Sequence, residues 1–149
     1  CGWRAPVARR WPQVRHYSLL CEAESMSPSL TRRARWLGQR GEQLAVEYLQ
    51  TQGYTILARN WRCPSGEIDI VASHNGVLVF VEVRTRRAAR FGTPEESITP
   101  RKQSRLIAAA YTYLQEAGLT EADWRIDLVA IEMAPDGAVR RLNVVRHCI

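Results

Sequence analysis

The sequence predicts an α/β fold in three layers, a mixed central sheet of about five strands flanked by helices. Three observations predict it. Residues 66–87, GEIDIVASHNGVLVFVEVRTRR, read as a two-stranded hairpin about Asn75-Gly76, because a two-residue type I′ turn needs positive φ at both central positions. Residues 77–133 read strand, helix, strand, long enough for a right-handed crossover that lays the later strand parallel to the earlier one. A final strand pair is expected about Pro135-Asp136-Gly137.

From the N-terminus, residues 1–21 hold Arg4, Arg9, Arg10 and Arg15 with no acid, and Gly2, Pro6 and Pro12 interrupt any helical period. Such a composition mimics an organellar transit peptide, but an upstream extension or unstructured leader over residues 1–30 is the simpler expectation, with the folded domain over 31–149. Residues 30–52 read as the first helix, with Leu37, Leu44, Ala45, Tyr48 and Leu49 at helical spacing and Gly53 as the cap. Residues 54–61 follow as a strand, and Cys63-Pro64-Ser65-Gly66 turns it into the hairpin, so the first three strands form an antiparallel meander. Thr99 and Pro100 read as N-cap and first residue of a second helix over 100–117. Leu106, Ala109, Ala110, Tyr113 and Leu114 line its inner face, and Gly118 ends it. Residues 124–133 and 138–146 are the last two strands.

Within the hairpin, pairing His74 with Val77 puts Asp69 opposite Glu82 and Glu67 opposite Arg84. Strand alternation then gathers Ile68, Ile70, Ala72, Val79, Val81 and Val83 on one face and the charged residues on the other. Two carboxylates facing each other across a sheet, their Cβ atoms roughly 4.5 to 5.5 Å apart, repel and must be offset. A surface salt-bridge cluster with Arg84 is one solution. A divalent cation is the other, since hard ions such as Mg²⁺ are held by one or two carboxylates plus water and phosphate oxygens. The surrounding sequence favours the cation.

The chain is long enough, at 149 residues, for one domain with a genuine core. Its net charge of +6 favours a polyanionic partner. Of its 21 basic residues only Lys102 is a lysine. The densest positive stretch runs from Arg84 through Arg86, Arg87, Arg90, Arg101 and Lys102 to Arg105, against Glu95 and Glu96. A helix N-terminus carrying Arg101 and Lys102 is a ready phosphate site; a solvated loop that keeps the protein soluble is the plainer alternative. The cysteines at 1, 21, 63 and 148 show no C-x-x-C spacing, so reduced thiols in a cytoplasm are expected rather than zinc or disulfides. No apolar run matches a secretory core or a membrane span.

Asp69, twelve residues, then Glu82-Val83-Arg84 closing an apolar strand resembles the PD-(D/E)-x-K nuclease signature. Around it stand Gly41-Glu42, Gly53-Tyr54, Ala58-Arg59-Asn60-Trp61-Arg62, Gly66-Glu67-Ile68-Asp69, Phe91-Gly92, Ile98-Thr99-Pro100-Arg101-Lys102-Gln103 and Arg125-Ile126-Asp127. In that order, over about residues 36–146, the chain resembles the YraN family (UPF0102), small bacterial proteins of restriction-endonuclease-like fold related to archaeal Holliday junction resolvases. The resemblance implies a metal-dependent endonuclease acting on DNA, with Mg²⁺ or Mn²⁺ held by Asp69, Glu82 and the carbonyl of Val83. It also implies a role for the helix-one glutamate, Glu42, which composition alone reads as solvated or paired with Arg40.

The family pattern asks for lysine where this chain has Arg84. A guanidinium stabilises charge but cannot serve as a general base. Either the metal alone activates water, or Lys102 substitutes, or the protein binds without cutting. Three readings follow: a nuclease on branched or structured DNA, a catalytically weak DNA-binding module, and an RNA-processing nuclease. Resolvases act as dimers, so a homodimer is an expectation of the resemblance. Asp127, inside an apolar strand, is expected to pair with an arginine such as Arg125 or Arg62.

Overall fold

A computed structural model describes residues 28–87 and 98–149. Of the expected leader over residues 1–30, residues 28–30 open the first helix and the rest lie outside the described residues, as do the arginine at 90 and the Phe91-Gly92 loop. The order of elements is α1 (Pro28–Thr51), β1 (Thr55–Cys63), β2 (Gly66–His74), β3 (Val77–Arg87), α2 (Pro100–Glu116), β4 (Trp124–Met133) and β5 (Val139–Val145). The strands form one sheet in the order β1-β2-β3-β4-β5. As expected, β3 and β4 pair in parallel while every other neighbouring pair is antiparallel.

Two apolar layers sandwich the sheet. Helix α1 lays Ala45, Val46 and Leu49 on Ile70, Ala72, Val79, Val81, Val129 and Ile131. On the opposite face, α2 lays Leu106, Ala109, Ala110, Tyr113 and Leu114 on Trp61, Val71, Leu78, Phe80 and Ile126. All five of those α2 side chains are buried, as their spacing predicts. The turn is formed by Asn75 (φ 51°) and Gly76 (φ 79°), with His74 paired to Val77. The Thr99 hydroxyl accepts the amide of Lys102 at 3.2 Å and so fixes the first turn of α2. Helix α1 comes closest to β3 at Gly41, where any Cβ would collide with the Thr85 side chain.

The hairpin departs from the expected register at its open end. The β2–β3 ladder runs from His74 and Val77 to Ile70 and Val81. Beyond it, Asp69 and Glu82 are not a ladder pair; the Val83 amide instead donates to Asp69 Oδ2 at 2.8 Å. Glu67 does not face Arg84: it lies opposite Arg62 of β1, with Arg62 Nε 3.4 Å from its Oε2. Ile68 has changed face and packs with Trp61 and Cys63 on the α2 side. The cause is Asn60, which holds a left-handed φ of 49° between the pairs Arg59 with Ile70 and Trp61 with Ile68. One left-handed residue rotates the strand, and asparagine adopts that conformation more readily than other side chains. The alternation of β1 and β2 therefore reverses at Asn60 and Asp69, and β2 turns away from β3 there.

Asp127 pairs with Arg125, whose Nε donates to Oδ1 at 2.9 Å and Oδ2 at 3.1 Å. Tyr54 donates to the same carboxylate at 3.1 Å and accepts from Arg125 Nη2 at 3.2 Å, while the His147 amide donates to Oδ1 at 3.1 Å. Arg125 Nη2 also lies 3.2 Å from Nδ1 of His74. Because a guanidinium only donates, that nitrogen accepts and the ring is neutral. Burial, then the charge of Arg125, pushes the imidazole below its usual range.

Candidate active site

The opening between β2 and β3 is where the charged residues converge. Three elements supply them: Asp69 from β2, Glu82 and Arg84 from β3, and Lys102 from the capped first turn of α2. Glu82 is buried at 2% exposure although it carries a carboxylate. Its Oε1 lies 3.2 Å from Lys102 Nζ and 3.1 Å from Arg84 Nε, the latter an ion pair without hydrogen-bond geometry. Its Oε2 is buried with no hydrogen-bond partner. Leaving a buried acceptor unsatisfied costs roughly 1–3 kcal/mol, more for a charged group.

Asp69 is perturbed as well. Its carboxyl is pushed up to about 8, chiefly by burial, then by the charge of Glu82 and more weakly by that of Glu42. The Val83 amide and the Lys102 ammonium pull the other way and do not restore it. Burial, and after it the neighbouring Glu82 charge, keeps a proton on Asp69. The hard oxygen donors of the two carboxylates suit Mg²⁺ or Mn²⁺.

The expected site residues are distributed unevenly about this centre. Asp69, Glu82, Arg84 and Lys102 come together; at Val83, expected to offer its carbonyl, it is the amide that reaches Asp69. Glu42, half-buried beside Gly41 on α1, acts on Asp69 through space. Among the described residues no three His, Cys, Asp or Glu side chains come close enough to hold a metal between them. Arg86 and Arg87 end β3, and Arg101 and Arg105 stand exposed on α2.

Spacing did not reveal the cleft next to the carboxylates. It encloses about 440 Å³ between the Pro64-Ser65 turn and α2, with Arg62, Glu67, Lys102 and Arg105 on its walls. Arg62 falls in the stretch that carries the resemblance, but only the β1–β2 register brings it here.

Comparison with known proteins gives a family without a described activity. Residues 41–131 match UPF0102, an uncharacterised protein family. Among the similar proteins, UPF0102 protein STH1475 of Symbiobacterium thermophilum is 50% identical over 107 residues, covering 72% of this chain and 91% of its own length. A UPF0102 protein of Roseiflexus castenholzii is 51% identical over 105 residues, 70% of this chain and 85% of the relative. A third, from Dehalococcoides mccartyi, is 47% identical over 112 residues, 75% of this chain and 91% of the relative.

Proposed function

For this chain, which belongs to the UPF0102 family, we propose a metal-dependent phosphodiesterase, an endonuclease acting on DNA, with branched or structured DNA as its substrate class. One observation carries the reading: Glu82 presents a buried oxygen without a partner beside an Asp69 carboxyl pushed up to about 8. A divalent cation between them relieves both conditions at once. Asp69 and Glu82 would hold it, with Glu42 lending negative charge from α1. Bound there, Mg²⁺ or Mn²⁺ would supply the Lewis-acid and water-activating chemistry of phosphodiester hydrolysis. Lys102, at 3.2 Å from Glu82, would bind a phosphoryl oxygen and orient the attack, in the role that the lysine-bearing motif gives to its third position. Arg84 contributes fixed positive charge to the transition state and moves no proton.

The net charge of +6, Arg86, Arg87 and Arg101 support a nucleic-acid partner. Cutting two strands of a branched substrate calls for two sites and hence a homodimer. No helix among the described residues is long and apolar enough to cross a membrane, and free Cys63 and Cys148 fit a reducing cytoplasm.

Titration calorimetry with Mg²⁺ and Mn²⁺, paired with cleavage assays on branched DNA, linear duplex and RNA, tests the proposal. The expected result is metal binding and DNA cleavage that both disappear in Asp69→Ala and Glu82→Ala. Metal binding unchanged in both variants would sink it. A second reading, a DNA-binding module, is favoured by the guanidinium at position 84 and by the two cations already on Glu82 Oε1. It predicts salt-sensitive binding with no cleavage in any metal, while preferential cutting of RNA would move the substrate class.

A further inference from the structure

The cleft beside the carboxylates holds charge that the hydrolytic centre does not use. It opens at Lys102, the residue that contacts Glu82, and Arg62 and Arg105 stand on its walls. The β1–β2 turn lies against α2, where a Cβ at Gly66 would be 3.4 Å from the Arg105 carbonyl oxygen. Cys63, Pro64 and Gly66 add no charge to the lining. Among the described residues Glu67 is the one acid lining it, and it sits 3.4 Å from Arg62. Both partners are about half exposed, 47% and 51%, so their attraction is weak and either can rotate to a better partner at little cost.

A concavity of about 440 Å³ with three cations on its rim is sized for part of one nucleic-acid strand and charged for its phosphates. We propose that this cleft is a subsite for the sugar–phosphate backbone of the substrate strand next to the scissile phosphate. Arg62 and Arg105 take the flanking phosphates, and Glu67 is an acidic competitor that Arg62 leaves when the strand enters. The inference deepens the nuclease reading and rests on it. The position follows from Lys102, which belongs both to the cleft and to the Glu82 site, so a strand lying in the cleft continues directly over the carboxylates.

The test is fluorescence anisotropy of a dye-labelled DNA with a single-stranded arm, using the full chain in EDTA at several salt concentrations. Arg62→Ala and Arg105→Ala are each expected to weaken binding about 3- to 10-fold and to lower the slope of log affinity against log salt by about 1. Glu67→Gln is expected to tighten binding about 2- to 5-fold, a change of sign that general loss of structure cannot imitate. Arg140→Ala, on the exposed outer strand β5, is the control for a bulk change of charge. Arg62 and Arg105 variants indistinguishable from Arg140→Ala, or weaker binding in Glu67→Gln, would overturn the subsite. Cleavage by the native protein in Mg²⁺ separates the two readings. If the native protein cuts while all four variants bind alike, the cleft is refuted and the nuclease stands. If the expected changes occur without cleavage in any metal, the cleft stands as a strand-binding groove and the nuclease falls. No DNA binding by the native protein would refute both.

Discussion

A carboxyl pushed up to about 8 keeps a proton that the unfolded chain, with an ordinary value of 3.8, has already released. Between those two values the folded state binds more protons than the unfolded one, and stability must fall as pH rises through that window. Below it both states are protonated and Asp69 costs nothing; above it the folded protein carries the full penalty of a buried, repelled charge. Asp69→Asn cannot ionise, yet its amide oxygen still accepts the Val83 N–H that Asp69 holds at 2.8 Å. In metal-free buffer the variant is expected to be more stable than the native chain at pH 8 by ~1–3 kcal/mol, with the difference closing toward pH 4. Urea unfolding of both proteins at the two pH values checks this. A difference that does not change with pH would mean that Asp69 is solvated like a surface carboxylate. Glu82 illustrates the same physics from the acceptor side: its Oε2 is buried without a hydrogen-bond partner.

Helix α1 positions Glu42 only because the residue before it has no side chain. Gly41→Ala would drive a methyl group into Thr85, whose own Cβ would be 3.2 Å away, and Thr85 is β-branched and half-buried on β3. Overpacking of this kind costs roughly 1–3 kcal/mol, and relief requires α1 to lift from β3, carrying Glu42 away from Asp69. Thermal denaturation should therefore show Gly41→Ala destabilised, and Thr85→Ala in the same chain should restore part of the loss, a coupling that a double-mutant cycle measures. Additive effects would show that the helix does not touch the strand there. Elements whose signals are local could be read before the fold was known. Asn75-Gly76 needs only its own φ preferences to make a turn, and Thr99-Pro100 needs only its own hydroxyl and ring to start α2. The open end of the hairpin could not be read in this way. Its face reversal depends on Asn60 adopting a left-handed conformation in the neighbouring strand, and nothing in a strand pattern tells such an asparagine from a solvent-facing one. The pairing of Glu67 with Arg62 rather than Arg84 follows from that long-range event. Lys102 stood as one of three possible answers to the arginine at position 84, and the approach of α2 to β3 is what brings it to Glu82.

A second buried polar cluster, Asp127 with Arg125, Tyr54 and His74, lies by the α1-side core in which Tyr54 packs. It joins the start of β1, the end of β2, the middle of β4 and, through the His147 amide, the C-terminal segment. Asp127 is fully buried at 0% exposure and is the only acid that Arg125 contacts among the described residues. Removing it leaves a guanidinium buried at 9% exposure without a counter-charge, and breaking a buried pair in this way typically costs about 3–5 kcal/mol. Asp127→Ala is expected to lose stability of that order and to open the His147 amide to exchange, since its acceptor goes with the carboxylate, while the Cys148 amide keeps the Ile126 carbonyl at 3.0 Å. Removing both charges, Arg125→Met with Asp127→Leu, is expected to cost less than Asp127→Ala alone, because no orphaned charge remains and the cavity is filled by apolar volume. Unfolding free energies of the single and double variants decide the matter: a double variant at least as unstable as the single one would mean that the hydrogen bonds to Tyr54 and His147 outweigh the buried charge. Divalent-metal binding measured on the same proteins adds an independent reading. Asp69 and Glu82 lie beyond Ile70 and Val81, the last ladder pair of β2 and β3, while this network holds the hairpin at His74. Metal affinity retained in a folded Asp127 variant would show that the two clusters act separately, although Asp127 is paired with Val81, the neighbour of Glu82.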